Sequence, residues 1–340
     1  MSIDETYMRR ALELARLGLG STYPNPMVGC VIVRDGKIIG EGWHQKAGEP
    51  HAEVLAVRNT GNEALVQGAD VYVTLEPCAH YGKTPPCAEL LARLKPARVV
   101  ICNVDSNPLV GGKGIRKMEE VGIKVETGVL EEEGRWLNRR FFTFMEKKRP
   151  YIVLKWAQTD DGFVARENYD SKWISSPLSR KLVHKWRSEE PAILVGRNTA
   201  FHDDPELTVR DWTGEHPLRI VIDRGLSLPE NLKLLDRKQP TIRYNLVNSE
   251  THGALENVAL PEDNFIEAML ANLYRRNIHS VFVEGGARFI EALAERGLWD
   301  EARIFTASKR FGKGIGAPAL NGHLYSKEKI GDDELKIITR

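Results

Sequence analysis

Cysteine is scarce in this chain: 340 residues hold four, Cys30, Cys78, Cys87 and Cys102. So few exclude a disulfide-built scaffold and fit a reducing, cytoplasmic setting. Long hydrophobic runs are missing too. No stretch approaches the roughly 20 apolar residues of a membrane span, and Met1-Ser2-Ile3-Asp4-Glu5 lacks the basic-then-apolar form of a secretory leader. Neither sign of charge dominates: 48 basic against 47 acidic residues leave a net charge of +1. That removes any general electrostatic case for nucleic acid or anionic membrane, although a local basic groove stays open. A Gly-x-Gly-x-x-Gly turn after a strand is also absent, which excludes an ordinary Rossmann unit. What remains is a soluble globular mixture, 42% hydrophobic and 28% charged, at a length that suits two domains of about 100–200 residues.

Apolar residues at helical spacing (Met8, Leu12, Ala15, Leu19) predict an opening helix over Tyr7 to Leu19. Pro24-Asn25-Pro26 breaks it, and Arg34-Asp35-Gly36 turns a hairpin between strands 27–33 and 37–43. His51 and Glu53 fall at the start of a helix over 52–58. Val71 to Leu75 is β-rich, and Pro77 suits the first turn of a following helix, which would put Cys78 near a helix N-terminus. A helix over 87–94, a strand over 98–104, a helix over 111–121 and a strand over 123–127 continue an alternation that predicts a three-layer α/β domain. One long charged helix over 130–148 closes it. The boundary falls at Lys147-Lys148-Arg149-Pro150, giving domains 1–148 and 149–340. A second α/β rhythm follows, with strands at 151–157, 192–196, 218–223, 241–247, 280–284 and 301–308 and helices at 178–189, 265–277 and 287–296. Glu334 to Thr339 reads as a last strand that stops abruptly and leaves a short sheet edge. Cys30 and Cys102 lie in apolar strands and read as buried small hydrophobes.

One constellation carries chemistry. His51-x-Glu53, then Pro77-Cys78, then Cys87 supply one imidazole and two thiols, the ligand softness that Zn²⁺ prefers. Three protein ligands leave a fourth position open, as in catalytic zinc sites. Glu53 is not needed as a ligand and stands where it could shuttle a proton to and from an activated water. His-x-Glu followed by Pro-Cys-x-x-Cys is the zinc deaminase signature, but here eight residues, not two, separate the cysteines.

That spacing, with Gly82-Lys83-Thr84-Pro85-Pro86 inside it, resembles the bacterial bifunctional riboflavin-biosynthesis deaminase–reductases. So do Pro24-Asn25-Pro26-x-Val28-Gly29, Gly42-Trp43-His44 and Pro50-His51-Ala52-Glu53. The resemblance implies a cytidine-deaminase-like three-layer αβα domain, zinc ligands His51, Cys78 and Cys87, and Glu53 as proton shuttle. It implies substrate contacts from Asn25, His44, His80 and Lys83, the last of which reads equally as a solvated loop lysine. Asp105-x-Asn107-Pro108 would touch ribose or simply turn the chain.

In the second half, Val283-Glu284-Gly285-Gly286-Ala287 would present backbone N–H groups to a dinucleotide phosphate, or is a plain βα turn. Segments 155–162, 171–177, 203–210 and 283–286 are similar to the reductase half of the same family. They imply a dihydrofolate-reductase-like α/β fold, with NADPH meeting Ala157, Trp173, Thr199, Asp203, Gly285 and Gly286. The phosphosugar would meet Ser171, Arg187, Leu207, Arg210 and Glu284, the two arginines acting as phosphate clamps. The expectation is therefore zinc-dependent deamination of a phosphoribosylated diaminopyrimidinone, then NADPH reduction of its ribosyl group. No nucleic-acid or membrane partner is expected, and a homo-oligomer is allowed. Two other classes stay open: a nucleic-acid-editing deaminase with an accessory domain, which wants a basic groove and a short Cys-x-x-Cys, and a zinc-stabilised ligand-binding protein without activity.

Overall fold

The computed structural model describes residues 2–81, 85–107 and 111–340. The chain divides into two compact units, Met1–Lys148 and Arg149–Arg340. Among the described residues no helix is long and apolar enough to cross a membrane.

The first unit opens with α1 (Ile3–Arg16). It starts earlier than the apolar stripe suggested, because Ser2 Oγ accepts the Glu5 N–H while the Glu5 carboxylate accepts the Ser2 N–H, a reciprocal cap. Strands β1 (Gly29–Arg34) and β2 (Lys37–Trp43) form the expected hairpin. Helix α2 (Ala52–Asn59), strand β3 (Asp70–Leu75), helix α3 (Cys87–Leu94), strand β4 (Arg98–Asn103), helix α4 (Lys113–Glu119) and strand β5 (Lys124–Thr127) follow. The sheet runs β2-β1-β3-β4-β5, with β3, β4 and β5 parallel.

Alternating side chains send Cys30, Ile32, Val71, Val73, Val99 and Ile101 to one face, against α2, α3 and α4. Val31, Val33, Tyr72, Val100 and Cys102 go to the other, against α1 and the C-terminal helix pair. Three layers result. Gly29 permits the closest approach of α1: a Cβ there would fall 2.0 Å from the Ala11 carbonyl oxygen.

Two helical expectations are corrected in this unit. No helix begins at Pro77: the described residues from Pro77 to Pro86 are irregular, and Cys87, not Cys78, opens a helix. The charged segment over 130–148 is two helices, α5 (Glu131–Leu137) and α6 (Arg139–Lys147), broken at Asn138 (φ −98°, ψ 25°).

The second unit is built on a ten-stranded sheet. Its elements are β6 (Tyr151–Thr159), β7 (Phe163–Ala165), α7 (Pro177–Glu189), β8 (Ala192–Gly196), α8 (Arg197–Asp203), β9 (Leu218–Ile222), β10 (Thr241–Asn245), β11 (Glu250–His252), β12 (Leu255–Ala259), α9 (Phe265–Arg275), β13 (Ser280–Glu284), α10 (Ala287–Glu295), β14 (Glu301–Ala307), β15 (Ile315–Gly316), β16 (His323–Ile330) and β17 (Asp333–Thr339). The order is β11-β12-β10-β9-β8-β13-β6-β14-β17-β16, while β15 pairs with β7 apart from it.

Helices α9 and α10 pack one face through Phe265, Met269, Leu273, Ile290 and Leu293. Val183 and Trp186 of α7 and Ala200 of α8 pack the other. The C-terminal edge is not short: β17 lies inside the sheet between β14 and the full-length edge strand β16. The polar, mostly exposed sequence of β16 hid it.

Arg149 forks onto Asp300 at 2.6 and 2.8 Å, and Asp300 also accepts the Ile152 N–H at 2.9 Å. This ties the start of β6 to the start of β14. Removing one partner of such a nearly buried pair strands the other charge. Asp300→Ala should therefore lose about 3–5 kcal/mol of stability in urea unfolding of the full chain, and a change under about 1 kcal/mol would reject this role.

Candidate active sites

His51 is the residue just before α2, and Glu53 lies in that helix's first turn. Cys87 begins α3, and Cys78 follows β3 by three residues. Their ligand atoms all lie within 4.8 Å of one another. His51 Nδ1 is 3.5 Å from Cys78 Sγ and 3.4 Å from Cys87 Sγ. Zinc bond lengths of about 2.3 Å to sulfur and 2.0–2.1 Å to nitrogen at tetrahedral angles give an S···N edge of about 3.6 Å. The donor set and its spacing therefore fit a zinc ion bound through the Nδ1 face of His51. The Cys87 N–H donates to Cys78 Sγ at 3.3 Å, and hydrogen bonding from Cys87 holds the Cys78 thiol down at about 4, the thiolate that a metal needs. Glu53 is 3% exposed. Burial pushes its carboxyl up to about 6, with the Cys78 charge adding to the effect.

Around this cluster Asn25 Nδ2 lies 3.0 Å from His44 Nε2. His44 Nδ1 reaches the Pro50 carbonyl at 3.3 Å, and its ring stands edge-on to His51 at 5.3 Å. Burial lowers the His44 imidazole below its ordinary range. His80 is exposed, and Lys83 lies outside the described residues. Asp105 accepts the Asn107 N–H at 2.7 Å, a local side-chain bond, while Pro108 lies outside the described residues. Burial raises the Asp105 carboxyl to about 6.

Glu76 was missed at the level of sequence. Buried beside Pro77, it accepts backbone N–H groups from Asp105, Gly112, Gly114 and Ile115 at 2.9–3.3 Å, tying Asp105 and the start of α4 to the exit of β3. A carboxylate at the end of an otherwise apolar strand was the available signal.

In the second unit a cavity of about 1210 Å³ opens at the C-terminal ends of β6, β8 and β13, where open α/β sheets hold ligands. Ala157, Trp173, Thr199, Asp203, Gly285, Gly286, Ser171, Arg187, Leu207, Arg210 and Glu284 all line it. Gly285 and Gly286 have φ of 93° and 86°, and a Cβ on Gly285 would come 3.1 Å from Thr199 Oγ1. Ser171 Oγ donates to Asp203 Oδ1 at 3.1 Å, and burial raises the Asp203 carboxyl against that bond.

Arg187 is engaged internally: it forks onto Glu284 at 2.6 and 2.9 Å and donates to the Thr208 carbonyl. Arg210 is half-exposed, 3.7 Å from Glu206. Lys155, the first residue of the 155–162 segment, joins this charged group. The register of β6 and β13 pairs it with Glu284, and its ammonium stands 3.8 Å from that carboxylate. Burial lowers the Lys155 ammonium. Burial also opposes the Glu284 charge, but Arg187 and Lys155 outweigh it and hold that carboxyl below its usual range. A lysine inside the apolar run Tyr151 to Ala157 was the signal for this site.

Fold and donor set together define a cytidine-deaminase-like domain followed by a reductase-type α/β domain. Residues 1–103 match the cytidine and deoxycytidylate deaminase zinc-binding region, and residues 150–335 match the RibD C-terminal domain. The chain is 44% identical to the riboflavin biosynthesis protein RibD of Aquifex aeolicus, covering 92% of this chain and 89% of that protein. It is 40% identical to that of Bacillus amyloliquefaciens, covering 96% and 90%. Among solved structures it is similar to a diaminohydroxyphosphoribosylaminopyrimidine deaminase/5-amino-6-(5-phosphoribosylamino)uracil reductase from Thermotoga maritima, at 38% identity, TM-score 0.90, and 99% and 98% coverage. RibD from Acinetobacter baumannii gives 35% identity, TM-score 0.91 and the same coverage. The chain belongs to the RibD family of riboflavin biosynthesis proteins.

Zinc analysis of purified protein should give about one ion per chain, and Cys87→Ser should lose most of it. A serine variant that keeps the full complement would show that the thiolate is not a ligand.

Proposed function

We propose that residues 1–148 deaminate 2,5-diamino-6-(5-phosphoribosylamino)pyrimidin-4(3H)-one, and that residues 149–340 reduce the ribosyl group of the product to ribityl with NADPH. The convergence of His51, Cys78 and Cys87 beside a buried Glu53 carboxylate carries this reading. Zinc, when bound, supplies activation of the attacking water.

Glu53 takes the proton of that water as the new C–O bond forms at the amine-bearing ring carbon. It passes that proton to the ring nitrogen, then takes the remaining hydroxyl proton as the carbon–oxygen bond becomes a carbonyl, and delivers it to the amine as the C–N bond breaks and ammonia departs. Its burial keeps competing solvent away from the transfer. Asn25 and His44, bonded to each other, form a polar wall for the ring, and the exposed His80 is available to a substrate phosphate.

NADPH, when bound, supplies the hydride for the second step. The sugar C1′ gains that hydride, and the C1′–O bond opens to a hydroxyl that takes one proton. Gly285, Gly286 and Thr199 leave room for the dinucleotide backbone, and Ala157, Trp173 and Asp203 border its reactive end. Ser171, Leu207, Arg210, Arg187 and Glu284 border the phosphosugar. Arg187 serves by fixing Glu284 as much as by meeting phosphate, since its guanidinium already forks onto that carboxylate.

Glu53→Gln is expected to keep its zinc and lose ammonia release by at least about 100-fold, with NADPH oxidation on the deaminated substrate unchanged. Normal deamination by that variant would sink the shuttle role. Silence of the unmodified protein in both assays, at full zinc content, would instead favour a non-enzymatic ligand-binding protein. For the cofactor turn, Gly285→Ala places a side chain at positive φ and against Thr199. It should raise KM for NADPH about tenfold while ammonia release stays as it was, and an unaltered KM would argue against the turn as a cofactor contact.

A further inference from the structure

Asn138 interrupts the helix that closes the first unit, and its side chain is spent far away in sequence. Its Oδ1 accepts the Met27 N–H at 2.9 Å, and its Nδ2 donates to the Met27 carbonyl at 2.8 Å. Asn138 is 3% exposed, so both bonds form out of water, where leaving a backbone group unpaired is costly. An amide side chain bonded to both groups of one residue mimics a strand partner. It fixes Met27 in position and orientation.

The hydrogen-bonded path of the helix survives the interruption, since Asn138 N–H still reaches Gly134 and its carbonyl still accepts from Phe142. The backbone departs from helical angles only enough to aim this one side chain. Leu75, Phe141 and Phe142 then pack together, with Val28 against them, on the strand that leads to Cys78.

Met27 sits two residues beyond Asn25, whose amide meets His44, and the Val28 carbonyl accepts the His44 N–H at 2.9 Å. We propose that Asn138 is a positioning residue for the deaminase pocket: by clamping the Met27 backbone it sets where Asn25 and His44 face the pyrimidine ring. Asn138 touches none of the reacting atoms. This rests on the deaminase reading of the first unit, and extends it to a residue remote from the metal ligands.

A ring-orienting contact made equally in ground and transition states shows itself in KM more than in kcat. The test is steady-state deamination by Asn138→Leu, Asn25→Ala and the double variant, each as the full-length zinc-loaded chain. Leucine fills the same volume without the two hydrogen bonds. The expected result is KM raised about tenfold with kcat within about twofold, unchanged zinc content, and unchanged NADPH oxidation on the deaminated substrate.

The double variant should be no worse than Asn25→Ala alone, because both lesions act through one group. Additive losses, a fall in kcat at constant KM, or an Asn25→Ala variant with ordinary kinetics would each overturn the proposal. The last of these would leave zinc- and Glu53-dependent deamination standing. Should the leucine variant fail to fold, Asn138→Ser, a smaller neutral side chain too short to reach both Met27 groups, should show the same split. A kcat loss without a KM change in that variant overturns the proposal equally.

Discussion

Two cysteine sulfurs and an imidazole nitrogen gathered within 4.8 Å, one residue buried and two partly so, crowd electron-rich donors that a shared cation would hold together. The first unit is arranged to bring them together from separate elements. The turn before α2 delivers the imidazole, the exit of β3 one sulfur, and the first residue of α3 the other. Packing of α2 and α3 on the same face of the sheet sets their separation, through Ala52, Ala56, Ala88 and Leu91. Small residues let both helices lie close to the strands, so the donor geometry is a product of ordinary core packing.

The second unit solves a different electrostatic problem. Its cavity floor carries Lys155, Arg187, Glu284 and Asp203, charges that could not be buried singly. The parallel register of β6 and β13 opposes Lys155 to Glu284, and α7 brings Arg187 onto the same carboxylate. Mutual compensation keeps the site charged yet stable. It also holds the Arg187 guanidinium and the Lys155 ammonium in fixed positions on one carboxylate.

Much of this was legible because it rests on residue type and period. The alternation of strands and helices gave three layers in the first unit, and the spacing of His51, Cys78 and Cys87 pointed to a shared ion. The misreadings have physical causes. Pro77 suits a helix start, but the chain stays irregular after it so that Cys78 can turn back toward His51. The 130–148 segment keeps helical periodicity across Asn138 because only one residue leaves the helical region, and no local pattern reports a bond to a backbone 111 residues away. Strand β16 carries too many charges to look like a strand, since an edge strand need bury little. Pairwise charge neutralisation, as at Lys155 and Glu284, depends on register between distant strands and is invisible until they are aligned.

The composition of that edge strand has a bearing on how the molecule behaves at high concentration. A ten-stranded sheet ending in a free ladder would be a template for further strands. Ser326, Lys327, Glu328 and Lys329 occupy the outer rung, and Lys327 already pairs with Glu334 on the neighbouring strand. An incoming strand would have to desolvate those ammonium and carboxylate groups, so the rim acts as a gatekeeper against fibrous self-association.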